Sequence, residues 1–242
     1  MATRIFGPLI FALALSPGLA LAMTPTITTP SFTLRGTPMW DDGDGYATLL
    51  SYADNVASIA LMDIQAAVSL GMADSTGMLE GGRWVTYTTT YGLDVTPGYR
   101  VTSISITGIA EGYFNQPAGG YVDQAQYTYL SGYRGFEPLY GGASSLGMFN
   151  GEREISIYAG GLALTGFSTM HFNAQAGNQV ISAVVPDPEG GPPSYVGAQA
   201  SMLVRDLTLR IEVQPVPEPS TWLMFSGGVA ALALARTLKK RR

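Results

Sequence analysis

The chain has 242 residues, with 13 Lys and Arg against 18 Asp and Glu, a net charge of −5, and no cysteine. The missing cysteine excludes disulfides, iron–sulfur clusters, thiolate metal sites and thiol nucleophiles. Setting aside Arg4 and everything from Glu218 onward leaves seven arginines, no lysine and 17 acids, a net charge of −10, which repels phosphate backbones and argues against a nucleic-acid partner.

The N-terminus carries Arg4, an apolar run over residues 5–15 and a helix-breaking Ser16-Pro17-Gly18. Ala20-Leu21-Ala22 follows with the small residues that signal peptidase prefers, so residues 1–22 are expected to be a signal peptide cleaved after Ala22. Residues 23–215 then suit one domain with a substantial core. Asp41, Asp42 and Asp44, spaced by Gly43 and Gly45, form the densest anionic cluster. Such a cluster suits either a Ca²⁺ loop or a solvated turn, and it lacks the twelfth-position glutamate of an EF-hand. Residues 46–72 read two ways. Leu49, Ala53, Val56, Ala60, Ile64 and Ala67 have helical spacing, yet two short strands joined by a turn fit as well and are preferred.

From there on the apolar residues alternate. Val85, Tyr87 and Tyr91 alternate with threonines. Ile104 with Ile106, and Tyr121 with Tyr127 and Tyr129, share strand faces. Ile155, Ile157 and Ala159 repeat the pattern, Leu162 to Phe172 lines one side of a strand over 162–173, and residues 178–185 read as a strand buried on both faces. The clearest strand covers 202–213, with Leu203, Leu207, Leu209, Ile211 and Val213 on one face and Arg205 as the exception. Turn signals fall at residues 96–98, 117–120, 141–142 and 150–151, with a longer acidic loop over 186–193. The expected fold is mainly β, an antiparallel sandwich or jelly roll.

Three groups are candidates for chemistry within this domain. Tyr121, Tyr127, Tyr129, Tyr133 and Tyr140 crowd a stretch with Phe136. Their rings suit stacking on sugars, or packing in a core or at an edge. His171 is the single histidine, too few for a multi-histidine metal site, and it lies on the face opposite Met170 and Phe172. No nucleophile elbow accompanies it. Glu111, Glu152 and Glu154 are the carboxylates that facing strands would have to pair for glycoside hydrolysis. With no catalytic constellation evident, a non-catalytic structural role is favoured, and a carbohydrate-binding module is the alternative.

The C-terminus is the most informative segment. Pro217 and Pro219 flank Glu218 and hold it extended. An apolar run follows, and Arg236, Lys239, Lys240, Arg241 and Arg242 close the chain. Residues 221–238 would extend about 27 Å as a helix, enough to span a bilayer when the terminal lysines snorkel. The basic end places the C-terminus in the cytoplasm and the domain outside. The order of Val216-Pro217-Glu218-Pro219-Ser220-Thr221-Trp222, apolar run and basic end over 216–242 resembles the PEP-CTERM sorting signal. That resemblance implies recognition of Pro217, Glu218 and Pro219 by an exosortase, and a Gram-negative cell surface or extracellular matrix rich in polysaccharide as the destination. It implies no biochemical activity.

Overall fold

Period-two alternation of Val, Ile, Thr and Tyr builds fourteen strands and one short helix in a computed structural model that describes residues 26–36, 47–76 and 80–216. The strands are β1 (Thr26–Thr28), β2 (Phe32–Gly36), β3 (Ala47–Ala53), β4 (Val56–Leu61), β5 (Leu70–Asp74), β6 (Glu80–Val95) and β7 (Tyr99–Asn115). They continue with β8 (Tyr121–Arg134), β9 (Glu137–Leu146), β10 (Gly151–Leu164), β11 (Gly166–Ile181), β12 (Ala183–Val185), β13 (Ser194–Val196) and β14 (Gln199–Pro215). All pairings among them are antiparallel.

One sheet has the order β1-β2-β6-β11-β8-β9 and the other β10-β7-β14-β4-β3, with β5 added to β14. Their inward faces share one core. Phe32, Leu93, Leu130 and Phe172 come from the first sheet, and Ile59, Ile104, Ile106, Leu209 and Ile211 from the second. Tyr91 and Phe172 meet edge-on at 5.5 Å. Burial of the Tyr91 hydroxyl pushes its pKa well above the usual phenol value.

Both readings of residues 46–72 apply, to different parts. β3 and β4 form a hairpin whose turn residues Asp54 and Asn55 adopt positive φ, a conformation these two residues tolerate. A helix, α1 (Met62–Val68), follows and buries Ile64 and Val68. Asp63 ties it to the first sheet by accepting a 2.5 Å hydrogen bond from the Tyr87 hydroxyl. The strand expected over 162–173 is divided instead. The chain turns between Leu164 and Gly166, where Gly166 has φ +64°, and β11 runs on unbroken to Ile181. Gly141-Gly142 is no turn but lies within β9. A Cβ at Gly142 would come within 2.7 Å of Ile157, so glycine there lets β9 approach β10 at the corner of the two sheets.

The last strand corrects the expected face of Leu203. Met202 and Val204 are buried, and so are Leu207, Leu209, Ile211 and Val213, while Leu203 is exposed. Three steps on β14, from Arg205 to Thr208, match two on β7, from Ile109 to Thr107. This β-bulge resets the alternation, which explains why Arg205 broke the pattern. Asp206 sits in the bulge with φ +56°. Asp206→Gly is expected to keep or raise stability by up to about 1 kcal/mol, and Asp206→Val to cost about 1–3 kcal/mol, measured by urea denaturation. Equal midpoints for the two variants would contradict a strained bulge.

Candidate functional site

On β8 the alternation is inverted in polarity. Val122, Gln124, Gln126, Thr128 and Leu130 point inward and are buried, whereas Tyr121, Tyr127 and Tyr129 are 47%, 50% and 41% exposed. Burial of polar side chains in preference to tyrosine rings runs against solvation. Gln124 is compensated, since its Nε2 donates to the Ser201 carbonyl at 2.6 Å. Gln126 is compensated only in part. Its Nε2 donates to the Thr128 hydroxyl, and its Oε1 has no partner.

The outward tyrosines belong to a surface spread over three neighbouring strands. Ladder pairs place Gln175 of β11 between Thr86 of β6 and Tyr127 of β8, and Asn173 between Thr88 and Tyr129. One step further toward the β8–β9 turn, His171 lies between Thr90 and Ser131. In the opposite direction the row is Trp84, Gly177 and Ala125. Trp84 is 56% exposed, and its indole occupies the space a Cβ would need at Gly177. One ring face therefore lies on the sheet and the other faces water. Two strand spacings, about 10 Å, separate the backbones of β6 and β8. Between them β11 presents amides and an imidazole. Asn173 Nδ2 donates to Thr88 Oγ1 at 3.0 Å, and His171 Nδ1 lies 2.9 Å from Thr90 Oγ1. His171 also meets Tyr133 edge-on at 5.3 Å, which fixes the imidazole on the outward face expected for it.

Not every tyrosine of the cluster belongs here. Tyr140 turns inward and packs over Gly132, with its hydroxyl buried and burial raising its pKa far above the phenol range. Trp84, Asn173 and Gln175 were missed by sequence reasoning. The signal was present, because Trp84 keeps the phase of Thr86, Thr88 and Thr90, opposite to Val85, Tyr87 and Tyr91.

The candidate carboxylates gather on the outer face of the other sheet. Glu152 pairs directly with Glu111 across β10 and β7, and Glu154 lies two residues along opposite Ile109. Glu152 and Glu154 line an open depression of about 450 Å³ with Thr107, Arg153 and Asp206. Arg205 bridges Glu152 and, at 3.8 Å, Asp206. Asp41, Asp42 and Asp44 lie outside the described residues, as do Pro217, Glu218, Pro219, the expected signal peptide and the expected span over 221–238. Among the described residues, no group of three or more His, Asp and Glu is placed to hold a metal ion, and no helix is long and apolar enough to cross a membrane.

Residues 215–241 match the family model described as the PEP-CTERM protein-sorting motif. The chain carries an exosortase-type sorting signal. The motif implies export to the cell envelope or surface, with exosortase as the processing partner. No curated protein matches the chain. Among solved structures, TmCBM61 in complex with β-1,4-galactotriose matches at 9% identity and a TM-score of 0.21, over 72% of this chain and 87% of that one. So slight a likeness bears on neither fold nor ligand.

The inversion of β8 is testable. Replacing Gln126 and Thr128 together by Leu and Val removes a half-satisfied polar pair and adds apolar burial. The double variant is expected to gain about 1–2 kcal/mol in denaturant unfolding. A loss of similar size would show that the buried pair stabilises the strand.

Proposed function

We propose that this exported protein is a non-catalytic component of the cell surface or extracellular matrix that holds polysaccharide on the outer face of its β6–β11–β8 strands. Its precursor is anchored through residues 221–238 with the C-terminus in the cytoplasm. The observation that carries the reading is the inversion of β8. The strand leaves Tyr127 and Tyr129 in water while burying Gln124, Gln126 and Thr128. A strand at odds with solvation is the kind of local conflict that function retains.

The chemistry of the face supports a sugar rather than a protein or an anion. Trp84, Tyr127 and Tyr129 offer rings whose apolar surface suits the C–H faces of pyranoses. Gln175, Asn173 and the threonines of β6 supply neutral donors and acceptors for hydroxyls. The rows repeat along the strands about every 7 Å, so the face suits an extended chain. The domain's net charge of −10 favours a neutral polymer over an acidic one. The carboxylates on the opposite face favour binding over hydrolysis as the activity. Glu152 is 59% exposed and engaged by Arg205, as in a solvated surface ion pair.

Trp84→Ala and Tyr127→Ala are each expected to weaken retention on the target polysaccharide by about 5–30-fold, equivalent to about 1–2 kcal/mol, with unchanged melting temperature. Affinity electrophoresis against a panel of neutral and acidic polysaccharides measures this. The reading fails if the wild-type protein migrates freely through every gel, or if both alanine variants bind as well as wild type.

A further inference from the structure

The end of the domain from which the sorting tail departs has its own surface. β14 closes with Pro215 opposite Tyr99, and the Val216 N–H donates to the Gly98 carbonyl at 2.7 Å. The 96–98 turn therefore lies beside the exit. That turn joins β6 to β7 and so links the two sheets at this end. Two further turns share it. Gly166 pairs with Val95, which brings the β10–β11 turn here, and Tyr133 pairs with Thr169, which brings the β8–β9 turn alongside. Arg134 fastens these two turns together, since its Nη2 donates to the Thr165 carbonyl at 2.8 Å.

Each of the fastened turns carries an exposed phenylalanine. Phe136, at the tip of β8–β9, is 103% exposed, and Phe167, at the start of β11, is 57% exposed. A wholly exposed phenylalanine on a rigid hairpin tip is costly in water and is not explained by the sugar-binding face, whose aromatics lie further along the strands. The chain reaches Trp222, where the apolar run begins, six residues after Val216. Six residues span at most about 20 Å by any path. Phe136 and Phe167 are thus held close to whatever surface receives the tail.

We propose that this end of the domain rests on the bilayer that holds the precursor, with Phe136 and Phe167 inserted at the headgroup level. The inference rests on the membrane-anchored reading of residues 221–238. Tethering makes the contact intramolecular, so two rings suffice where a free domain would need more. The charges at this end, Arg100 and Arg134 against Asp54, Asp94 and Glu137, nearly cancel. The contact is therefore apolar and independent of anionic lipid, even though the domain as a whole is acidic. Its consequence is orientation. The domain stands end-on, and the Trp84–Tyr127 face points sideways.

The natural chain has no cysteine, so a single one labels uniquely. The full chain is reconstituted in phosphatidylcholine vesicles with a fluorophore at Glu137→Cys, beside Phe136, or at Ala118→Cys in the turn at the opposite end. Quenching by headgroup spin-labelled lipid is then measured, with vesicle flotation run in parallel. The 137 label should be quenched and the 118 label spared. Phe136→Ser with Phe167→Ser should reduce quenching at 137 by about tenfold while flotation and melting temperature hold. An unquenched 137 label on a chain that floats overturns this proposal. A chain that fails to float overturns the membrane reading beneath it.

Discussion

The register of β8 against β11 is the constraint on which the outer face depends. Thirteen consecutive ladder pairs, from Thr169–Tyr133 to Ile181–Tyr121, lock the two strands without a bulge. β11 has its own phase fixed by Met170, Phe172, Ala174 and Ala176, all buried in the common core. Side chains alternate with period two, so a slip of one residue would carry that whole set into water. β8 must follow. Leu130 and Val122 enter the interior on its even positions, Gln124, Gln126 and Thr128 enter with them, and the tyrosines at 121, 127 and 129 are left outside. The platform results from a register imposed by a neighbour more than by any preference of the tyrosines themselves.

The same parity rule explains where the fold departs from simple alternation. β14 packs against the core on both sides of Asp206, but with opposite phases, and the bulge supplies the single extra residue that reconciles them. β7 shows the reverse arrangement. Glu212 to Val213 is one step on β14, and Ser103 to Val101 is two on β7, so Val101, Ser103 and Ile104 are all buried. Bulges at different heights on two adjacent strands let a pair of seventeen-residue strands keep its apolar side inward while the sheet twists. β6, β11 and β8 carry no such shift among their mutual pairings, which keeps the rows of the outer face in line.

The sheet class was legible in the sequence because alternation is a local signal. Ile104 with Ile106, and Leu207, Leu209, Ile211 and Val213, needed no partner to be recognised. What could not be read locally was set by contacts distant in sequence. The phase of Leu203 depends on a bulge opposite Ile109, 94 positions earlier. The outward direction of Tyr127 depends on β11, since both phases of β8 carry polar and apolar groups. Gly141-Gly142 resembled a turn because glycine punctuates chains, but here it admits Ile157 and the phenol of Tyr129, whose hydroxyl would lie 3.4 Å from a Cβ at Gly141. The sorting signal was the most legible feature, and understandably so. It is read by a processing enzyme as linear sequence, so its information does not depend on a folded partner.

The arrangement of ends and faces gives the fold a direction. Strands of fourteen to sixteen residues make the first sheet about 50 Å long on β6, β8 and β11. The tail leaves from one end of that length, through the 96–98 turn and Val216. Trp84 and Tyr127 lie toward the other end, since Trp84 is eleven residues from Val95, where β6 finishes beside the exit. Along a ladder without register shifts, the distance between the chain's exit and the aromatic face is set by strand length. A short-stranded domain would have held the same rings beside the exit of the chain. Long strands and an inverted β8 thus serve one geometry. The fold keeps Phe136 and Phe167 beside the exit of the chain at Val216 and places its ring-bearing rows further along the strands.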